Sequence, residues 1–164
     1  MKFFFLASAA FAAVALTACG KGDPDAVKAG GVEWMTVSVT EKADSSWCLD
    51  DNEENCEKLG RLYSRDAALK VCPAGWRLPT DEEWGALSAA AAIDDSLRAK
   101  FPAPPTGYRS NNGTFSGASG YAYFWTATEY VAYDAPTGIL RFSRTYHPDE
   151  DYKGYGFSVR CVKK

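Results

Sequence analysis

C-P-A-G-W-R-L-P-T-D-E-E-W, residues 72–84, brings a cysteine, a turn, two tryptophans and a helix start into one short run. Pro73-Ala74-Gly75 is turn chemistry, because Pro presets φ and Gly tolerates φ > 0. Thr80-Asp81-Glu82-Glu83 fits a capping box. The Glu83 N–H would donate to the Thr80 hydroxyl, and the Thr80 N–H to the Glu83 carboxylate. Pro79 and Trp84 fall at the positions of a hydrophobic staple. Three acids in the first turn suit the positive end of the helix dipole. The stretch fixes where a helix begins and how the chain enters it. It carries no nucleophile, no metal cluster and no phosphate loop.

Working downstream, the helix is expected from Asp81 to about Ala92. Trp84, Leu87 and Ala91 recur on one stripe, and Ala89 to Ala92 is strong helix-forming sequence. Asp94-Asp95-Ser96 can cap a further turn carrying Leu97. Phe101 to Pro105, F-P-A-P-P, ends any helix and runs extended. Beyond it, glycines punctuate short aromatic runs, a hairpin-rich composition. Strands are expected at Gly107–Ser110, Tyr121–Thr126, Ile139–Tyr146 and Tyr155–Val162. In the last, Phe157, Val159 and Cys161 would share one face and Ser158, Arg160 and Val162 the other. Upstream, Ser64 can cap a short helix over Arg65–Val71. Trp47 to Cys56 reads as a polar loop between two cysteines. Val32 to Thr40 alternates and is β-branched, hence a strand. Trp34, Trp76 and Trp84 are expected in the core.

At the N-terminal end, Lys2 precedes an apolar run, Phe3 to Leu16, too short to be a comfortable membrane span. Leu16-Thr17-Ala18-Cys19-Gly20 then resembles the lipobox of bacterial lipoproteins. That resemblance implies a signal peptide over 1–18, cleavage before Cys19 and lipidation of Cys19. Residues 19–31, Gly-rich and polar, read as a flexible tether, leaving 32–164 as one domain. The chain carries a formal net charge of −3, which offers no polyanion footprint, so nucleic acid is not an expected partner. The expected contacts are a membrane, through the lipid, and a glycan or surface protein. Five cysteines are present. With Cys19 acylated, Cys48, Cys56, Cys72 and Cys161 remain, and two disulfides are the default in an exported chain. Three pairings are open. The spacings do not match a zinc site.

Candidate chemistry is sparse. His147 stands in T-Y-H-P-D-E-D with no Ser or Cys partner at hand and reads as a loop residue. Glu82, Glu83 and Glu129 could pair as acid and base, but Glu83 already has a capping role. The acids at 50–54 and 149–151 could attract a cation. An EF-hand is excluded for the first, because Asn55 stands where Gly is required and Arg61 where the bidentate Glu would be. No metal and no cofactor is expected. Aromatics are more telling, since Tyr and Trp stack on sugar rings and anchor interfaces. Tyr130, Tyr133, Arg141, Arg144, Tyr146 and His147 lie in polar or Gly/Pro surroundings with few large aliphatics to cover them. They form the expected binding face.

Several stretches carry a family resemblance: S-W-C-L-D-D-N-E-E-N-C-E-K-L-G-R-L-Y (46–63), the run at 72–84, G-Y-R-S-N-N-G-T-F (107–115), Y-F-W-T-A-T-E (123–129) and Y-G-F-S-V-R-C-V-K (155–163). Together they resemble the Fibrobacter succinogenes major paralogous domain, in the family's order and over most of 31–164. That family is in turn similar to C-type-lectin-like domains and to formylglycine-generating enzymes, which share R-L-P-T-x-x-E-W. The resemblance implies an α+β fold, C-type-lectin-like, with two or more helices flanking a small twisted antiparallel sheet and long irregular loops. It implies the pairs Cys48–Cys56 and Cys72–Cys161. It brings no established reaction. The calcium-holding tripeptides of sugar-binding C-type lectins are missing, and lipidation plus pairing would leave no thiol for formylglycine chemistry. The expectation is a non-enzymatic, lipid-anchored lipoprotein of a bacterial envelope, on the outer membrane and facing the periplasm or the surface, that binds a glycan or a protein. The alternatives are a coat lipoprotein without a specific ligand and an enzyme related to the formylglycine-generating group.

Overall fold

A computed structural model describes residues 25–128, 131–136, 143–146 and 154–163, the second and third of these as backbone. It is a mixed α+β fold whose described residues form four α-helices and small, mostly antiparallel sheets.

The chain begins with a hairpin. Strands β1 (Ala26–Ala29) and β2 (Val32–Met35) pair antiparallel, Ala29 opposite Val32. Gly30 and Gly31 make the turn at φ 57° and 89°. Two successive positive φ values are what a two-residue hairpin turn of matching twist demands. A Cβ on Gly30 would also come within 2.8 Å of the Ala86 side chain. The expected tether therefore stops short of residue 31. The Gly pair that resembled linker punctuation is a turn, and β1 is already part of the domain. Conversely, the strand expected over 32–40 ends at Met35.

Strand β3 (Ser46–Trp47) leads to a 3-10 turn at Leu49–Asp51 and to helix α1 (Glu53–Leu59). The expected polar loop is thus mostly helix. Asn52 caps it by accepting from the Glu54 N–H, and Glu53 and Glu54 sit in the first turn. The acids that made this segment look like a loop favour a helix N-terminus. Strand β4 (Leu62–Tyr63) follows, then α2 (Arg65–Val71), capped by the Ser64 side chain, and β5 (Trp76–Arg77). Helix α3 (Asp81–Ile93) opens with the anticipated capping box and buries Trp84, Leu87 and Ala91. Asp94 caps α4 (Asp95–Ala99) by accepting from the Leu97 N–H.

The second half is strands. β6 (Tyr108–Arg109) pairs with β7 (Phe115–Ser116). β8 (Tyr121–Trp125), β9 (Val131–Pro136) and β10 (Ser143–Tyr146) form a meander. The single strand expected over 155–162 is two. β11 (Phe157–Ser158) and β12 (Val162–Lys163) belong to different sheets. One sheet has the order β1-β2-β12-β5, the other β10-β9-β8-β11-β4-β3. Residues 159–161 carry the chain from one to the other. All of Phe157 to Val162 is buried, so the expected two-faced alternation does not apply.

Two apolar clusters result. The first gathers Trp34, Trp84, Leu87, Phe101, Phe124 and Val162. The second gathers Tyr63, Trp76, Leu78, Trp125, Phe157 and Val159, with Cys161. β8 stands between them, giving Ala122 and Phe124 to the first and Trp125 to the second. Each buried indole removes roughly 150–250 Å² from water. At about 25 cal/mol per Å² that is roughly 4–6 kcal/mol before ordering costs. Two of the buried indole N–H groups find carbonyls: Trp34 donates to Ala29 at 3.1 Å and Trp125 to Tyr63 at 2.7 Å. Disulfides join Cys48 to Cys56 and Cys72 to Cys161, the pairing that the resemblance implies. The second ties the end of α2 to the crossing segment.

Candidate functional site

Glu83 is a structural group, and its bonding shows why. Its Oε2 accepts from the Thr80 N–H and from Arg77 Nη1, both at 2.8 Å, and its Oε1 accepts from Arg77 Nη2 at 2.6 Å. The Arg77 hydrogen bonds hold the carboxyl below its ordinary pKa against the opposing effect of burial, with the Thr80 N–H helping. A general acid would need the reverse shift. Glu129, the carboxylate considered as its partner, lies outside the described residues, as do the acids at 149–151. The acids at 50–54 belong to the 3-10 turn and the start of α1. Cys48, Glu53 and Cys56 come within metal-binding distance of one another, but both sulfurs are bonded together and are no longer ligands.

The expected binding face is only partly in view. Tyr130, Arg141 and His147 lie outside the described residues, as does Cys19. Tyr133 is on β9, opposite Phe124 of β8 and opposite Arg144 of β10. Tyr146 is on β10, opposite Val131. The meander therefore brings three of the six candidate positions into adjoining strands.

Beside these strands the structure places an aromatic strip. Tyr121 and Tyr123 alternate along β8 with the buried Ala122 and Phe124. Their ring centroids are 6.3 Å apart. Tyr123 meets Tyr108 edge-on at 5.3 Å, and Tyr108 stacks on Tyr155 at 5.7 Å. Underneath, Phe157 stacks on Tyr123 at 5.6 Å and touches Trp125 at 4.5 Å. Exposure rises outward: Phe157 is 1 % exposed, Tyr108, Tyr123 and Tyr155 are intermediate, and Tyr121 reaches 43 %. A further station is Trp47, half-buried, with the Arg109 guanidinium 4.2 Å above its ring. The β6–β7 hairpin holds Tyr108 and Arg109 in place. Its turn is closed by Asn112 Oδ1, which accepts from the Ser110 hydroxyl and the Thr114 N–H. Gly107 precedes it at φ 55°, where a Cβ would lie 2.1 Å from the Ser116 carbonyl oxygen. No larger residue fits that approach.

Tyr108, Arg109 and Trp47 were not singled out by sequence reasoning. Tyr108 and Arg109 sit in a two-residue strand and Trp47 at the end of another. No local pattern signals that they meet. The strand expected over Tyr121–Thr126 places Tyr121 and Tyr123 on one of its sides, and that is as far as the local pattern reaches.

Among the described residues, no helix is long and apolar enough to cross a membrane. The family model described as the Fibrobacter succinogenes major domain matches residues 27–100 and again residues 91–163. No curated protein and no solved structure matches the chain. The two matched stretches are not separate bodies. β12 of the second pairs with β2 and β5 of the first, and β11 pairs with β4.

Proposed function

This chain belongs to the Fibrobacter succinogenes major domain family, and from that premise we propose that it is a non-catalytic binding module held on a bacterial envelope by a lipid on Cys19. The finer fold assignment that goes with it is C-type-lectin-like. It is supported by the pairing of β2, near the start of the described chain, with β12 at its end, by the helices packed beside small sheets, and by the disulfide that closes on Cys161.

The observation that carries the binding role is the graded tyrosine strip. Four tyrosines in mutual contact remain partly open to water although Phe157 and Trp125 beneath them are closed. Rigid aromatic area with a polar tip recognises flat apolar faces such as sugar rings at small ordering cost. The ligand of the module is a neutral glycan or a protein surface presented at the envelope.

An array of glycans and cell-wall polymers probed with the protein tests this. Wild type should retain one class of polymer, and Tyr121→Ala combined with Tyr123→Ala should lose it while staying folded. Equal retention by both would remove the strip from the function. Retention of nothing would leave a coat lipoprotein as the better account. The anchor is tested separately: a fatty-acid analogue fed to the producing cells should label wild type and not Cys19→Ala.

A further inference from the structure

Arg160 lies in the segment that crosses between the two sheets, and it has no exposed surface. Its guanidinium sits 5.3 Å from the Phe124 ring centroid and 5.8 Å from that of Phe101. Nη2 donates to the Pro102 carbonyl at 2.8 Å. Nε and Nη1 have no hydrogen-bond partner. Burial pushes the group down to about 10, so it still carries its charge at neutral pH. A buried charge with unused donors is among the most costly arrangements in a folded chain. Packing on two rings offsets only part of that cost.

The same residue lines an open cleft of about 520 Å³. One wall is the segment after β2, with Val37, Ser38 and Thr40. The second is the last turn of α1 with Gly60. The third is the extended run Pro102–Pro105. Ser38 is 8 % exposed, and its Oγ is a second buried polar atom without a partner. Gly60 lets the two walls meet there, since a Cβ would fall 2.6 Å from that of Ser38. Thus two independent orphaned polar side chains belong to one cleft. The remaining lining is mostly apolar, with Thr40 and the Glu57 carboxylate its other polar members and Lys58 already bonded to Glu54.

We propose that this cleft is a ligand site, distinct from the tyrosine strip, that takes a carboxylate carried on a small, largely apolar body. The carboxylate would accept from Arg160 and from the Ser38 hydroxyl, satisfying both and neutralising the guanidinium, and the body would lie against the prolines. A charged–charged hydrogen bond in such surroundings is stronger than a neutral one. A neutral ligand would leave the charge unpaired. A phosphate would bring more negative charge than one cation among apolar walls can match. A peptide C-terminus on a small apolar residue presents this chemistry, whereas an acidic sugar carries its carboxylate on a hydroxylated body. The site does not depend on the tyrosine strip, and either can fail without the other.

The test uses the full chain, 15N-labelled, with the arginine Nε–H signals followed by NMR. N-acetylalanine and glucuronate are the two acid probes, and N-acetylalaninamide and glucose their neutral counterparts. N-acetylalanine should shift a single arginine signal saturably, one missing from Arg160→Lys, while N-acetylalaninamide leaves it in place and glucuronate acts more weakly. Glucuronate acting as strongly would show that the carboxylate alone is read and would overturn the apolar body. Val37 is 55 % exposed at the cleft, so Val37→Trp should fill the cleft without unfolding the chain and weaken the response at least about tenfold. If Arg160→Lys does not fold, Val37→Trp carries the test. The proposal is overturned if N-acetylalanine gives no saturable shift, if its neutral counterpart acts equally, or if Val37→Trp responds like wild type. It is overturned too if Tyr121→Ala abolishes the response, because the acid then binds on the strip.

Discussion

The two apolar clusters use the same kinds of residue and end differently. In the first, Trp34, Trp84, Phe101 and Phe124 are all fully enclosed, with Trp34 and Trp84 4.8 Å apart and Trp84 5.3 Å from Phe124. α3 covers one side, and Ala29 and Val162 complete the enclosure. In the second, the buried Phe157 and Trp125 grade outward into Tyr123, Tyr108 and Tyr155. That cluster also contains Cys161 and touches Cys72, so a covalent bond runs through it. The lesson is that a domain can leave one aromatic cluster open to water when something besides packing holds it. Tryptophan and phenylalanine close a core. Tyrosine, with a hydroxyl to leave in water, makes an edge that can still meet a partner.

The comparison can be broken most severely at the disulfide. The Cys72–Cys161 bond closes a loop of 89 residues, for which chain entropy gives roughly 4–5 kcal/mol. Cys72→Ser with Cys161→Ser should lose up to that amount in denaturant unfolding. Hydrogen exchange should accelerate in 157–163 and 76–78 more than in α3. Equal acceleration everywhere would show the clusters to be one cooperative body. Next comes the closed cluster. Leu87→Ala removes a fully buried side chain from α3 and should cost about 3 kcal/mol, within the 2–5 seen for such truncations. A cost under about 1 kcal/mol would mean that the first cluster relaxes as readily as an open one.

Smaller is the helix start that seats α3 over the closed cluster. Glu83 has a folded pKa below its ordinary value. The stability it contributes is therefore present above its unfolded pKa and lost as pH falls through the folded one. Glu83→Gln should cost on the order of 1 kcal/mol at neutral pH. The gap to wild type should shrink as pH drops below about 4, the ordinary carboxylate value. A gap independent of pH would assign the loss to packing rather than charge. Smallest is the open edge. Tyr121→Ala should change stability by about 0.5 kcal/mol or less, a shift of only a few degrees, while ligand retention falls. A large drop in melting temperature would make the strip a cover for the second cluster.

How much of this was legible follows from how local each cause is. α2, α3 and α4 could be read because Ser64, Thr80 and Asp94 each bind a backbone N–H three residues on. Asn52 caps α1 from two residues away, through the Glu54 N–H, yet the Asp and Glu run around it reads equally well as a solvated loop. Gly30-Gly31 is a tether or a turn depending on whether β2 has a partner, and that partner was itself taken for tether. The split at 159–161 is invisible locally, since Phe157 to Val162 keeps a strand-like alternation through the crossing. Arg160 has no local signature at all. Its burial comes from Phe101 and Phe124, far away in the chain. For the binding face, Tyr121 and Tyr123 fall in a stretch readable as a strand, whereas the stacking of Tyr108 on Tyr155 and of Arg109 on Trp47 is made by tertiary packing alone.

The crossing segment also sets an order of events during synthesis. β11 lies between β8 and β4, and β12 between β2 and β5. Both are interior strands, and both come after every strand they join. Until residues 157–163 leave the ribosome, each sheet exists as two unconnected flanks with bare edges, Trp34 lacking Val162 and Tyr63 lacking Phe157. Completion then requires contacts between the far ends of the domain, a slow kind of closure. Throughout that interval the open edges invite pairing with other chains. A ribosome stalled before Phe157 would therefore hold a chain that has its helices but cannot yet become this protein.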